Sequence, residues 1–167
     1  MRRVSAVGGA ALWFVLAPCV VAGLVPWLIT RWRPGDIGVW WLPMQVLGGV
    51  LIVAGSAVIV HAFARFVSEG RGTPAPIAPP ERLVVGGLYR YVRNPMYVAV
   101  VAVIVGQILQ LARFDLLWYA AAVVLSVTAF VVLYEEPELS HPFGPEYAAY
   151  RQGVGRWLPR LRPWRPS

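Results

Sequence analysis

The chain has 167 residues, 58% hydrophobic and 14% charged, with a formal net charge of +7. Soluble domains are about 45–50% apolar and about 25% charged, so this composition indicates a membrane protein, and the length favours one domain over residues 1–167. The basic residues are all arginines and lie between and beyond apolar runs, which is typical of membrane loops and argues against nucleic-acid binding. Cysteine and histidine are too sparse for a structural metal site.

Two apolar runs in residues 1–67 predict the first two transmembrane helices. The first extends from about Val7 to Thr30, and we expect Pro18 and Pro26 to kink or end it. The second extends from about Trp40 to Phe66. Each run has the roughly 20 apolar residues that cross the ~30 Å hydrocarbon layer of a bilayer.

A long polar connection, residues 68–94, opens the segment 68–154 that we predict to be the cofactor-binding core. Its first half, EGRGTPAPIAPPE, is rich in glycine and proline and cannot be helical throughout. Its second half, RLVVGGLYRYVR, predicts a turn at Gly86-Gly87 and then a short amphipathic segment. Loops of this length in compact proteins are often functional.

Two further apolar runs, 96–112 and 116–134, are separated only by residues 113–115 and predict an antiparallel helical hairpin over about 96–134. The start of one helix then lies near the end of the other, which brings Asn94 and Tyr97 to Glu135 and Glu136 at one membrane face. The predicted fold is therefore all-α. It is an integral membrane bundle of four transmembrane helices with this hairpin, a cytoplasmic loop and a short C-terminal helix in FGPEYAAYRQGV.

The distribution of arginine predicts the orientation of the bundle. Of the 15 arginines, 12 belong to the N-terminus, the long connection with Arg65, or the C-terminal segment, and three to the opposite turns. Positively charged loops remain in the cytoplasm, so we expect a multi-pass protein with both termini cytoplasmic. The basic, aromatic tail 155–167 suits a surface of anionic membrane lipid.

The polar residues that the hairpin brings together suit a small cofactor with an amine, a carboxylate and a nucleoside. Glu135 or Glu136 can bind the amine, and the planar fork of Arg93 matches a carboxylate. Simpler interpretations are also open: Asn94 can be the N-cap of a helix that begins with Pro95, Arg93 can bind lipid phosphate, and Arg90 or Arg93 can neutralise the glutamates without a ligand. No residue is identified as a general base.

Several ordered motifs resemble the isoprenylcysteine carboxyl methyltransferase family, whose wider group includes the phospholipid N-methyltransferases. They are GTPAPIAPPERLVVGGLYRYVRNPMY, a helical hairpin, EE-x-x-L and FGPEYAAY, over about Gly72 to Val154. The resemblance implies S-adenosylmethionine bound at the cytoplasmic side and a lipophilic acceptor that enters from the bilayer. The implied cofactor contacts are Leu88, Tyr89, Arg93, Asn94, Pro95, Tyr97, Glu135 and Glu136.

Two positions depart from the family pattern. Asn94 stands where the eukaryotic enzymes usually have histidine, and Val131 and Val132 occupy the region of an arginine at the substrate carboxylate. The second difference weakens the case for a prenylcysteine carboxylate as acceptor, but not for methyl transfer. The alternatives are a lipid or sterol-type reductase that uses NADPH, and a non-enzymatic module that binds anionic lipid. No obligate protein partner is predicted.

Overall fold

The computed structural model describes residues 16–36, 38–70 and 82–165, and within these ranges every regular element is a helix. The all-α prediction is confirmed for this part of the chain. Most of the glycine- and proline-rich half of the long connection, residues 71–81, lies outside the described ranges. The helices are α1, Leu16–Thr30; α2, Leu42–Gly70; α3, Pro95–Leu111; α4, Leu116–Phe130; and α5, Glu136–Gly153.

Two helical segments are long and apolar enough to cross a bilayer. They are Val39–Arg65, which is mainly α2, and Leu116–Gly153, which contains α4 and α5. The apolar helices α1 and α3 are shorter. This pattern supports a membrane protein, whereas the number of spans and the sides of the termini stay predictions.

A seam of glycines holds α2 and α3 in close contact. A Cβ atom on Gly48 would lie 2.6 Å from the carbonyl oxygen of Gly106, and one on Gly106 would lie 2.8 Å from the carbonyl oxygen of Gly48. A Cβ atom on Gly55 would lie 3.0 Å from the carbonyl oxygen of Ala99. Small residues allow this approach of two backbones in a membrane. The seam thereby fixes the start of α3 relative to the end of α2.

We expect Gly48→Ala to lower the free energy of unfolding by about 1–3 kcal/mol, because the added methyl group must push α2 and α3 apart. Gly49→Ala is the matched control, since its Cβ atom would lie at an ordinary 3.5 Å from Gln110 Oε1. Thermal unfolding in detergent, followed by circular dichroism, measures both variants. Equal stability of the two variants would contradict the close contact of α2 and α3 at Gly48.

Two backbone carbonyl groups about one turn before Pro26 accept hydrogen bonds that dock α1 on the rest of the bundle. Proline has no N–H to donate within the helix. Gln107 Nε2 of α3 donates to the carbonyl of Ala22 at 2.6 Å, and the Tyr119 hydroxyl of α4 donates to that of Val21 at 2.7 Å. Such bonds matter because unpaired carbonyl groups are costly in lipid. The sequence analysis expected Pro18 and Pro26 to kink or end this helix. In the structure neither proline ends it: a π-helical turn forms at Val20–Leu24, and α1 continues to Thr30.

The predicted hairpin of α3 and α4 is confirmed. The turn between them is closed by Arg113 Nε, which donates to Asp115 Oδ1 at 3.0 Å. Their shared core is apolar and consists of Val100, Ile104 and Ile108 from α3 with Leu116, Ala120 and Val123 from α4. Because the helices are antiparallel, the first residues of α3 lie beside the last residues of α4.

The helix that contains the glutamate pair extends beyond residue 134, where the sequence analysis ended the predicted hairpin. It passes from α4 through a π-helical turn, Val131–Glu135, directly into α5. Its break comes later, at Gly144, which has φ of 33° and ψ of −111°. Pro145 then begins the short C-terminal helix that was predicted, and Tyr147 and Tyr150 are both buried on it.

Candidate functional site

A glycine turn positions the first group of polar residues. Gly87 has φ of +54°, a left-handed conformation that glycine adopts at no steric cost, and it opens the 3₁₀ turn Gly87–Arg90. The turn buries the Tyr89 ring against Ala62 of α2 and Met96 of α3. The predicted turn at this site is thereby confirmed, and it directs the following residues toward α5.

The second group is presented by the π-helical turn Val131–Glu135. The extra residue in such a turn changes the direction of the side chains that follow, and these turns are frequent at functional sites. Here Glu135 and Glu136 reach the start of α3. The Arg93 Nη1 atom lies 2.9 Å from Glu136 Oε1, and Tyr97 hydrogen-bonds to the Glu135 carboxyl group. The predicted meeting of the two polar clusters is confirmed.

Glu136 is the centre of an arginine cluster. Its side chain is buried, with 5% of the residue exposed. Arg156 donates two hydrogen bonds to the Glu136 carboxylate, from Nε to Oε1 at 2.7 Å and from Nη2 to Oε2 at 2.9 Å. Arg93 shares Oε1, and Arg151 Nη2 lies 3.6 Å from Oε2. The hydrogen bond to Glu136 raises the pKa of the Arg156 guanidinium above its ordinary value, against the opposing effect of burial. Both carboxylate oxygens of Glu136 are therefore already engaged by protein groups.

Glu135 and Arg93 retain unused hydrogen-bonding atoms. Glu135 Oε2 and Arg93 Nε are both buried, and neither has a hydrogen-bond partner among the described residues. Leaving a buried polar atom unpaired costs about 1–3 kcal/mol, and more when the group is charged. One acceptor and one donor thus remain available on residues that line the same cavity, a pattern that fits a ligand carrying both an ammonium and a carboxylate group.

These two residues line one small cavity of about 40 Å³. Its wall combines aromatic and aliphatic side chains with the charged groups. The lining residues are Leu83, Val84, Tyr89, Arg93, Asn94, Val131, Glu135, Glu136, Leu139, Tyr147 and Tyr150. Five of the predicted cofactor contacts are brought together here, namely Tyr89, Arg93, Asn94, Glu135 and Glu136.

The other three predicted contacts lie around this cavity and are not part of its lining. Leu88 contributes its backbone to the turn, where its carbonyl accepts from the Tyr91 and Val92 amides. Pro95 is the first residue of α3, as predicted. Tyr97 lines a separate, apolar cavity.

The C-terminal segment 155–164, which we name the strap, lies along the turn and is hydrogen-bonded to residues of the site. The Gly155 carbonyl accepts from the Arg93 amide at 2.9 Å, and the Tyr91 carbonyl accepts from the Arg160 amide at 2.9 Å. Two hydrogen bonds join Trp164 to Arg90. The Trp164 amide donates to the Arg90 carbonyl at 2.9 Å, and Arg90 Nε donates to the Trp164 carbonyl at 2.8 Å. The strap is therefore bonded to residues that line the site, whereas the sequence analysis assigned it to the membrane surface.

The strap also corrects two interpretations of single residues. The Asn94 side chain makes no N-cap bond; its Nδ2 atom donates to the Arg156 carbonyl at 3.2 Å instead. Arg90 does not neutralise the glutamates and binds Trp164, whereas Arg93 does neutralise Glu136. Arg156 was missed because its position among other tail arginines resembles a lipid-binding surface, and only the fold shows its contact with Glu136.

The comparisons with known proteins identify a family. The family model described as phospholipid methyltransferase matches residues 43–146, which cover more than half of the chain. This family is related to the isoprenylcysteine carboxyl methyltransferases, so the resemblance inferred from the ordered motifs is confirmed. No curated protein and no solved structure matches the chain.

Proposed function

The chain belongs to the phospholipid methyltransferase family, and on this premise we propose that it is an integral membrane methyltransferase that uses S-adenosylmethionine to methylate a small lipophilic acceptor. The family assignment supports a membrane methyltransferase. The cofactor and the acceptor are the parts that we infer from the chemistry of the site.

The observation that carries the cofactor assignment is the unpaired couple of Glu135 Oε2 and Arg93 Nε in one cavity. The methionine part of the cofactor has one ammonium and one carboxylate group. In our proposal the ammonium donates to Glu135 and the carboxylate accepts from Arg93, which satisfies both buried atoms. Tyr89, Tyr147 and Tyr150, which line the same cavity, provide aromatic surface for the nucleoside and the positive sulfur.

The cavity of about 40 Å³ has room for the charged end of the cofactor but not for its nucleoside. Ligand pockets typically enclose about 300–1,000 Å³. Our proposal therefore requires lining side chains to move outward on binding. Leu83 and Leu139 are the candidates, because both are only partly buried and belong to the apolar part of the wall.

The cofactor supplies a methyl group on positively charged sulfur, which an acceptor atom attacks in a direct displacement. The protein's task is then to align the two reactants and exclude water, and orientation alone can contribute up to about 7–11 kcal/mol to catalysis. The glycine turn, the π-helical turn and the strap hold the binding groups in a fixed arrangement. An ionised acceptor needs no general base, consistent with a site in which the carboxylates are used for binding.

We further propose that the chain crosses the membrane several times, with both termini and the site in the cytoplasm. The excess of arginine around the site and at both ends supports this orientation. Fusion of a reporter enzyme to either terminus tests it. Activity on the periplasmic or luminal side at either terminus would overturn the proposed topology.

Calorimetry on the detergent-solubilised protein tests the proposed function. We expect S-adenosylhomocysteine, which retains the amino-acid and nucleoside parts, to bind and NADPH not to bind. Transfer of label from methyl-labelled S-adenosylmethionine to extractable membrane lipid then identifies the acceptor. Binding of NADPH instead would favour a reductase, and binding of neither would favour a module that only binds lipid.

A further inference from the structure

The outer face of the strap is exposed and combines apolar with basic side chains. Leu158 is 82% exposed and Leu161 is fully exposed. Arg160 and Arg162, which alternate with these leucines in the sequence, are exposed as well. Large apolar side chains next to arginines are typical of segments that lie in the interface of a bilayer, where the apolar part enters the lipid and the charge stays at the headgroups. This face therefore matches a membrane surface better than water.

The positive charge of this face is not neutralised by the described part of the protein. Residues 147–167 contain five arginines and no acidic residue. Two of these arginines are turned toward Glu136. Arg160 bonds to a backbone carbonyl, whereas the side chains of Arg162 and Arg165 have no hydrogen bond or ion pair with any described residue. These two positive charges remain available to an anionic partner.

The position of Trp157 places the strap at the edge of the hydrocarbon layer. Its side chain shares the lining of one apolar cavity with Val98 and Val101 of α3. At 1.5 Å per residue, these valines lie about 5 and 9 Å along the helix from Pro95, its first residue. Segments on a bilayer surface bury their apolar side chains to about 5–10 Å, in the boundary between headgroups and acyl chains. Leu158, which follows Trp157 directly, is therefore near this boundary.

We infer that the outer face of the strap binds the membrane surface beside the site, with anionic phospholipid headgroups as its ligands. The residues of this docking surface are Leu158, Arg160, Leu161, Arg162 and Arg165. The leucines enter the boundary of the acyl chains, and the arginines bind the lipid phosphates. The sequence predicted such a role for the whole tail. The structure divides the tail, because Arg156 is turned inward to Glu136 and is not part of the lipid surface.

Lipid bound to the outer face steadies the site, because the inner face of the strap is bonded to residues that line it. The Gly155 carbonyl accepts from the Arg93 amide, and Arg156 donates two hydrogen bonds to Glu136. Leu158 follows Arg156 closely in the sequence. A strap that is fixed to the membrane at Leu158 therefore keeps Arg156 at Glu136, and the content of anionic lipid regulates how firmly the site is held.

Hydrogen–deuterium exchange of the full-length protein in nanodiscs tests the docking surface. One set of nanodiscs contains phosphatidylcholine alone, and the other contains phosphatidylglycerol in addition. Among the described residues the amides of Leu158, Leu161 and Arg162 donate no backbone hydrogen bond, so they report on contact with lipid. We expect them to exchange about tenfold to thirtyfold more slowly in the anionic nanodiscs, since each of the two unpaired arginines contributes about fivefold. Equal exchange in both sets overturns the inference.

The double variant Arg162→Gln with Arg165→Gln should lose this difference between the two sets of nanodiscs. The matched control is Arg33→Gln with Arg82→Gln, which removes two exposed arginines outside the strap and gives the same net charge. The control should retain the slow exchange in anionic nanodiscs. A loss of the effect that is as large in the control as in the double variant would show a general response to charge and overturn the docking surface.

Leu161→Ser tests the apolar contact separately from the charges. The strap should exchange about tenfold faster in both sets of nanodiscs, because the variant loses the apolar side chain that the lipid buries. Exchange equal to that of the unsubstituted protein overturns the insertion of the leucine.

Calorimetry with S-adenosylhomocysteine in the same nanodiscs tests the regulation, which rests on the proposed function. We expect binding to be about twofold to tenfold tighter in the anionic nanodiscs, since the lipid can shift the site by no more than it stabilises the strap. Equal affinity in both sets overturns the regulation. Slow exchange of the strap in a protein that does not bind this ligand overturns the proposed methyl transfer and leaves the lipid surface. Binding of the ligand with equal exchange in both sets overturns the lipid surface and leaves the methyltransferase.

Discussion

Glu135→Gln is expected to weaken the binding of S-adenosylhomocysteine by about tenfold to a hundredfold, the loss that accompanies removal of a charge-assisted hydrogen bond. Glutamine has the shape of glutamate and can still accept the Tyr97 hydroxyl through its amide oxygen. It cannot offer a negative charge to an ammonium group at the position of Oε2, the atom that has no partner among the described residues. Calorimetry gives the dissociation constants directly.

Glu138→Gln is the control for this effect, because Glu138 lies on the same helix but is exposed and is not part of the cavity wall. We expect its affinity to equal that of the unsubstituted protein. Both variants should unfold at the same temperature, since neither breaks an ion pair of the arginine cluster. Equal affinity of Glu135→Gln and Glu138→Gln would remove Glu135 from the cofactor site.

The helices and their hairpin could be predicted from the sequence because the signals are local. Long apolar runs joined by a three-residue turn predict that α3 and α4 are antiparallel neighbours. This arrangement is enough to bring Arg93 close to Glu136. The glycine turn could also be predicted, since Gly86-Gly87 separates an apolar stretch from a short amphipathic segment. The site residues at the start of α3 and the end of α4 could therefore be predicted from the sequence.

The rest depended on tertiary contacts for which no sequence signal exists. Tail arginines 156, 160 and 162 look equivalent in the sequence, yet only Arg156 contacts the buried carboxylate of Glu136. The continuation of the helix beyond Tyr134 was missed because the apolar run ends there. Pro137 lies inside this continuous helix just after the π-helical turn, and such local changes of the helical hydrogen-bond pattern allow a membrane helix to accommodate a proline that has no N–H to donate.

Whereas Glu135 is proposed to bind the cofactor, Glu136 is bonded to arginines of the protein. We therefore expect substitution of Glu136 to reduce stability. Glu136→Gln should lower the free energy of unfolding by about 3 kcal/mol, because it leaves the buried Arg93 guanidinium without its counter-charge. Arg156→Ala should cost a similar amount, since it removes two charged hydrogen bonds between the strap and Glu136 of α5. Arg162→Ala, an exposed tail substitution, should change stability by no more than about 0.5 kcal/mol.

A double-mutant cycle distinguishes an ion cluster from a general dependence on charge. If Glu136 and Arg156 stabilise the protein mainly through each other, the double variant should lose little more than either single variant, which gives a coupling energy within the roughly 0.5–3 kcal/mol found for contacting residues. Combining Glu136→Gln with Arg162→Ala should give purely additive losses. Thermal unfolding in detergent at several salt concentrations measures all five variants, and buried pairs should respond weakly to salt. Additive losses for the Glu136 and Arg156 pair would mean that the strap is held by its backbone hydrogen bonds alone, and Arg156 would then have no part in shaping the site.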